Sequence, residues 1–142
     1  MRRLTLCIMI MIMILMFMIS GKAFADIEDF KYFSLDVPEG WTADESGDVV
    51  SVIADDKSGS LSITAGNPKG ISIAGLAVSF SHELNGTDPV SDDEGNYTFG
   101  FNNGISHAMI TGDDDFYMLI VATGFISNAE TLGEILNSLE MK

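Results

Sequence analysis

Cysteine is nearly absent from this chain of 142 residues, and its one example, Cys7, lies close to the start. Residues 26–142 contain none, so no disulfide can stabilise that part of the chain even in an oxidising compartment. Histidine is also scarce: His82 and His107 are the two in the sequence, and neither has a histidine or cysteine at metal-ligand spacing. The sequence therefore predicts that both histidines are ordinary surface or core residues. Without disulfides, the stability of residues 26–142 must come from a hydrophobic core.

Positive charge is the second shortage. Three of the seven basic residues, Arg2, Arg3 and Lys22, lie within the first 25 residues. All 21 acidic residues come later, so residues 26–142 carry four lysines and a net charge of −17. A surface of this sign repels phosphate backbones and anionic lipid headgroups. Nucleic-acid binding and peripheral membrane binding are therefore not expected, whereas cations and basic partners are compatible with the charge.

Long apolar runs are confined to one segment, Leu4 to Ile19, which has 16 residues. Two arginines precede it and Ala23-Phe24-Ala25 follows it, which is the order of a secretory signal peptide with its cleavage site. We predict residues 1–25 as a signal peptide cleaved between Ala25 and Asp26. The protein would then be periplasmic or secreted, without a stable membrane anchor. The alternative is an uncleaved N-terminal anchor, although a spanning helix usually needs about 20 residues.

Residues 26–142 are long enough for a single domain with one core. Apolar alternation predicts strands at 33–37, after Trp41, at 49–53 and at 61–65. Helical spacing then predicts a helix over 72–85, with Asn85-Gly86 as its left-handed end. Three more strands (97–101, 105–111 and 116–123) precede a last helix, which the capping box Ser127 to Glu130 would begin.

The segment from Phe116 to Thr123 differs from the other predicted strands because its apolar residues do not alternate with polar ones. A strand that is apolar on both sides is typical of a sheet covered on both faces. The predicted fold class is therefore α+β: a mainly antiparallel sheet of six or seven strands with helices packed on it.

Residues 33–41, Phe-Ser-Leu-Asp-Val-Pro-Glu-Gly-Trp, resemble the opening strand and Pro-x-Gly-Trp turn of bacterial PsbP-like domains. The order of predicted elements is compatible with that family, PsbP-like/Mog1. The resemblance implies an α/β/α sandwich around an antiparallel sheet, and a binding or assembly module rather than an enzyme. It transfers no functional residue, and it implies that Pro38, Gly40 and Trp41 define the fold.

Two segments, beginning at Gly70 and Gly104, read Gly-x-Ser-x-Ala, a loose variant of the nucleophile elbow of hydrolases. Ser106 lies within a predicted strand, which disqualifies it. Ser72 lies at a helix start, and Ser72, Asp88 and His107 occur in the chain order of a hydrolase triad. A small serine hydrolase centred on Ser72 is thus one alternative, and the simpler interpretation is that Ser72 caps the helix.

Acidic residues cluster in three predicted turns: Asp55-Asp56, Asp92 to Glu94, and Asp113-Asp114-Asp115. Calcium takes six to eight oxygen ligands, so clustered carboxylates make a calcium-responsive domain a second alternative, with Asp113, Asp114 and Asp115 as candidate ligands. The spacing does not match an EF-hand, and a solvated hairpin tip explains the same pattern.

The leading hypothesis is an exported, non-enzymatic binding or assembly module that needs no cofactor. Its partner would be a protein or a small molecule, and the sequence specifies neither the partner nor the oligomeric state.

Overall fold

The computed structural model describes residues 26–142, apart from the side chains of residues 125 and 126. The helices are α1 (Ile73–Glu83) and α2 (Phe125–Asn137). The strands of the described part are β1 (Asp26–Asp29), β2 (Phe33–Val37), β3 (Trp41–Ser46), β4 (Val49–Ala54), β5 (Ser60–Gly66), β6 (Val90–Ser91), β7 (Tyr97–Phe101), β8 (Ser106–Gly112), β9 (Tyr117–Thr123) and β10 (Glu140–Met141).

These strands form two antiparallel sheets. The larger sheet has seven strands in the order β3-β4-β5-β9-β8-β7-β6, and the smaller has three in the order β1-β2-β10. The predicted α+β class is confirmed, and so is the predicted antiparallel sheet of six or seven strands, which has seven. The separate small sheet was not predicted, because its central strand β2 was expected to belong to the main sheet.

Both faces of the central strand β9 are covered. Met118, Ile120 and Ala122 join one core, which α2 and the small sheet close with Phe33, Leu35, Leu132 and Ile135. Leu119 and Val121 point to the opposite face and pack with α1, whose Leu76 and Ala77 are buried there against Phe99, Ala108 and Ile110. The unbroken apolar run of β9 therefore reflects two cores, and the helices lie on opposite faces as in an α/β/α sandwich.

The ends of α1 agree with the local sequence. The Oγ atom of Ser72 accepts a hydrogen bond from the backbone N–H of Gly75 at 3.0 Å, which confirms Ser72 as the N-cap. Asn85 adopts the left-handed conformation with φ of 53°, and the N–H of Gly86 donates to the carbonyl of Ser81 at 2.7 Å. Both ends are set by residues suited to those positions.

The start of α2 corrects the prediction made from the capping box. The helix begins at Phe125, two residues before Ser127, and Gly124 with φ of 80° is the residue at its N-cap. The left-handed glycine lets the chain turn from β9 straight into the helix. Asn128 has non-helical dihedral angles (φ −129°, ψ 15°), so the helix has a kink within the predicted capping box.

An exposed ion pair is among the polar contacts that join the two sheets. The Nζ atom of Lys31, in the turn after β1, lies 2.9 Å from Oδ1 of Asp48, in the turn after β3. The hydroxyl of Tyr32 and then Asp48 raise the pKa of Lys31, and Lys31 in turn lowers the pKa of Asp48. Because both side chains are solvent-exposed, this pair adds little to stability.

Candidate functional site

The α2 side of the seven-stranded sheet is only partly covered. On β8, Ala108 and Ile110 point toward α1, so His107 and Met109 point to the other side of the sheet. There α2 and the small sheet pack over β4, β5 and β9. The strands β6, β7 and β8 therefore keep an open surface beside α2, and this surface forms a groove.

The groove has a volume of about 430 Å³. Thr98, Gly100, His107 and Met109 lie on its floor, on strands β7 and β8. Leu136 of α2 forms one wall, and the segment before β6 forms the opposite rim. The full lining is Thr87, Asp88, Val90, Thr98, Phe99, Gly100, His107, Ala108, Met109, Ile120, Ala122 and Leu136. A volume of this size is in the range of small-ligand pockets.

Gly100 keeps the floor of the groove open. A Cβ atom built at this position would lie 3.7 Å from Nδ1 of His107, so the absent side chain leaves space rather than relieving a clash. The backbone of Gly100 is nevertheless held in place: its N–H donates to Oγ1 of Thr87 at 3.0 Å, and its carbonyl accepts from the N–H of Thr87 at 2.8 Å. These two bonds attach the rim to the edge of β7.

The charge of the groove is negative on balance. Asp88 is a lining residue, and within the described part of the chain no lysine or arginine lines the groove. The four lysines of residues 26–142 lie elsewhere, in the turns after β1, β4 and β5 and at the C-terminus. The groove therefore offers an anionic ligand no lysine or arginine to pair with.

The hydrolase triad considered above is not assembled. Ser72 caps α1 on one face of the seven-stranded sheet, whereas His107 points to the other face. Asp88 and His107 do line the same groove, but Ser72 does not join them. Ser106 is buried, and its hydroxyl lies 2.9 Å from Oγ1 of Thr123, so it links β8 to β9. The structure gives both serines a structural role.

The acidic turns are built around hydrogen bonds to their own backbone. Oδ1 of Asp113 accepts from the N–H groups of Asp115 and Phe116, at 2.9 and 3.0 Å. Asp56 and Asp92 cap their turns in the same way, and hydrogen bonds from Ser58 and Asn96 lower the pKa of those two carboxyls. Among residues 26–142, the structure groups no three acidic, histidine or cysteine side chains around a metal position.

His82 is exposed on α1, on the side of the sheet opposite the groove. The predicted cleavage point lies at the edge of the described residues: Ala25 is outside them, and Asp26 is the first residue of β1.

No described helix has the length and apolar character needed to cross a membrane.

Comparison of the whole fold with solved structures finds a clear neighbour. The chain is similar to the solution structure of cyanobacterial PsbP (CyanoP) from Synechocystis sp. PCC 6803, with 14% identity and a TM-score of 0.51. The match covers 87% of this chain and 95% of that chain. The fold is PsbP-like. No family model and no curated protein matches the sequence.

The residues that carried the resemblance have structural roles in the PsbP-like fold. Gly40 has a φ of 84°, a conformation that a side chain disfavours, and its carbonyl accepts from the N–H of Asp55 at 2.8 Å. The N–H of Trp41 donates to the carbonyl of Pro38 at 3.2 Å, and the Trp41 ring packs against the main core. This turn carries the chain from the small sheet into the large one, which gives its residues a structural role.

The groove itself was not predicted from the sequence. Gly100 stands alone within the alternating pattern of β7, and a glycine inside a strand can mark a close approach or an open site. The sequence predicts an ordinary surface or core histidine at His107, and the structure places this exposed side chain in the groove. The contribution of Leu136 depends on how α2 lies over the sheet, so only the folded chain reveals it.

Proposed function

We propose that this protein is an exported, non-enzymatic accessory module that holds a ligand in the groove over β7 and β8. The observation that carries the proposal is the open half of the sheet on the α2 side, where His107 and Met109 remain accessible beside Leu136. A covered sheet would leave no concave site there. The PsbP-like fold and the signal-peptide pattern support an accessory role outside the cytoplasm.

Ligand binding at the groove is tested by a fragment screen followed by nuclear magnetic resonance, with the chain that starts at Asp26. We expect fragments that bind to shift the amide signals of Gly100, His107 and Met109. The backbone of Gly100 is not in the left-handed conformation, so it can accept a side chain without strain. The variant Gly100→Leu should fill the groove from its floor and remove these shifts.

The matched control is Ser62→Leu. Ser62 lies on β5 between Leu61 and Ile63, whose side chains are buried on the groove side, so Ser62 points to the other face. Binding should persist in this variant. The proposal fails if no fragment perturbs the groove, or if Gly100→Leu binds as well as the unmodified protein.

Export and the absence of catalysis have separate tests. N-terminal sequencing of the protein recovered from outside the cytoplasm should begin at Asp26. Generic ester and phosphoester substrates should be turned over no faster than in buffer. A hydrolytic activity that Ser72→Ala or His107→Ala abolishes would overturn the non-enzymatic part of the proposal.

A further inference from the structure

We infer that the ligand of the groove is a small organic cation with an apolar body. This inference rests on the proposed function, since it names the chemical class that the same groove would accept. It follows from three properties of the lining: its size, its apolar floor and wall, and the sign of its charge.

The apolar part of the ligand would lie against Met109 and Leu136. Met109 is half-buried on the floor and Leu136 is half-buried in the wall, so each exposes apolar surface to the groove. Val90 on the opposite rim is 67% exposed. Covering these three side chains removes apolar area from water, which is the main source of affinity in such pockets.

The cationic part of the ligand would lie toward Asp88. This carboxylate is exposed on the rim, and none of the lining residues is a lysine or an arginine. The net charge of −17 over residues 26–142 adds a long-range attraction for cations and repels anions. The backbone N–H of Gly100 is already bonded to Thr87, so it does not offer a site for an anion.

The test uses three probes of nearly equal shape: phenylpropylamine, phenylpropanol and phenylpropanoate. Each is titrated into the chain that starts at Asp26, and the shifts of the Gly100 and Met109 amides give the dissociation constant. We expect the amine to bind most tightly, the alcohol more weakly and the carboxylate most weakly. Added salt should narrow the difference between the amine and the carboxylate.

Two variants separate the local carboxylate from the overall charge. Asp88→Asn should weaken amine binding by about two- to fivefold, the range expected for an exposed ion pair, and leave alcohol binding unchanged. Glu83→Gln removes the same charge from the end of α1, on the other face of the sheet, and should leave amine binding close to that of the unmodified protein.

The outcomes distinguish the two levels of the proposal. If the alcohol or the carboxylate binds in the groove as tightly as the amine, the ligand class is wrong and the groove remains a binding site. Equal losses from Asp88→Asn and Glu83→Gln would also overturn the assignment of the cation to Asp88. If no probe of any charge perturbs the groove and the fragment screen is also silent, the proposed function itself fails.

Discussion

The carbonyl oxygen of Ser58 occupies the position that a Cβ atom of Gly124 would need. This close approach holds the turn after β4 against the start of α2. Nearby, Nδ2 of Asn128 donates to Oγ of Ser58 at 3.2 Å and to the carbonyl of Gly124 at 3.3 Å. The position of α2 over the sheet, and with it the wall of the groove, therefore depends on a contact that only glycine permits.

Replacing Gly124 tests this contact. Gly124→Ala adds a side chain at a φ of 80° and forces it against backbone, so we expect the free energy of unfolding to fall by at least about 2 kcal/mol. Denaturation by urea measures the change. Gly133→Ala is the control: a Cβ there meets open space within α2, and the variant should gain about 0.5–1 kcal/mol. Equal effects of the two substitutions would contradict the role of Gly124.

The cap of α1 gives a second prediction. Ser72→Ala removes the acceptor for the N–H of Gly75 and should cost about 1 kcal/mol of stability. Ser79→Ala, at an exposed position within the same helix, should change stability by less than about 0.5 kcal/mol. Thermal and urea denaturation measure both variants. A loss at Ser79 as large as that at Ser72 would remove the capping explanation.

The two leucines of α2 should respond differently to truncation. Leu132 is 0% exposed within the main core, so Leu132→Ala should cost about 2–5 kcal/mol. Leu136 is half-buried at the groove, and Leu136→Ala should cost clearly less while weakening ligand binding. Urea denaturation and the amide titration give the two measurements. If Leu136→Ala destabilises the protein as much as Leu132→Ala does, Leu136 belongs to the core rather than to the groove.

The small sheet makes a prediction about pH. Burial, and then the charge of Glu140, raise the pKa of Asp36. The folded state therefore holds the Asp36 proton more tightly than the unfolded chain does. Protonated Asp36 stabilises the folded state, and this contribution is fully present below the pKa of the unfolded chain. The contribution is lost as pH rises through the folded pKa, so the charged carboxylate opposes folding at neutral pH.

Asp36→Asn should accordingly raise the free energy of unfolding near neutral pH by about 0.2–1 kcal/mol, the scale of cross-strand charge pairs. The gain should disappear in acid, where the unmodified carboxyl is protonated. Urea denaturation at neutral pH and at acid pH measures this gain. Asp44→Asn, on the exposed edge strand β3, removes the same charge from another surface. A gain as large at Asp44 would assign the effect to net charge instead of to Asp36.

Calcium should not stabilise the protein specifically. One aspartate in each acidic turn (Asp56, Asp92 and Asp113) already accepts a backbone N–H, and no described group of side chains forms a metal site. We expect about 1 mM calcium and magnesium to raise the melting temperature equally, by general screening of the acidic surface. A rise specific to calcium that Asp113→Asn removes would restore the calcium-responsive hypothesis.

Much of the fold could be predicted because its signals are local. The alternation of Phe33, Leu35 and Val37 marks β2, and Ser72 and Asn85 mark the ends of α1. The three missed strands lack such signals. β1 is Asp-Ile-Glu-Asp, which has no apolar alternation, and β6 and β10 have two residues each. These segments are strands because each pairs with the free edge of a neighbouring strand.

The candidate site was less predictable because its signals are not local. Ser72, Asp88 and His107 have the right order along the chain for a triad, but order along the chain does not determine which face of a sheet a side chain occupies. The register of β8 against β9 places His107 on the face opposite α1. That register depends on pairing across the whole sheet.

The sequence alone determined the strand and helix periods, the turn residues, the lack of disulfides and the strongly acidic character of residues 26–142, since each depends on residue type and short-range spacing. The tertiary structure alone decided that β2 leaves the main sheet, that α2 covers only part of one face, and that Gly100, His107 and Leu136 meet around a groove. These outcomes depend on contacts between residues far apart in the chain, whose energies exist only once the strands are paired and the helices are packed.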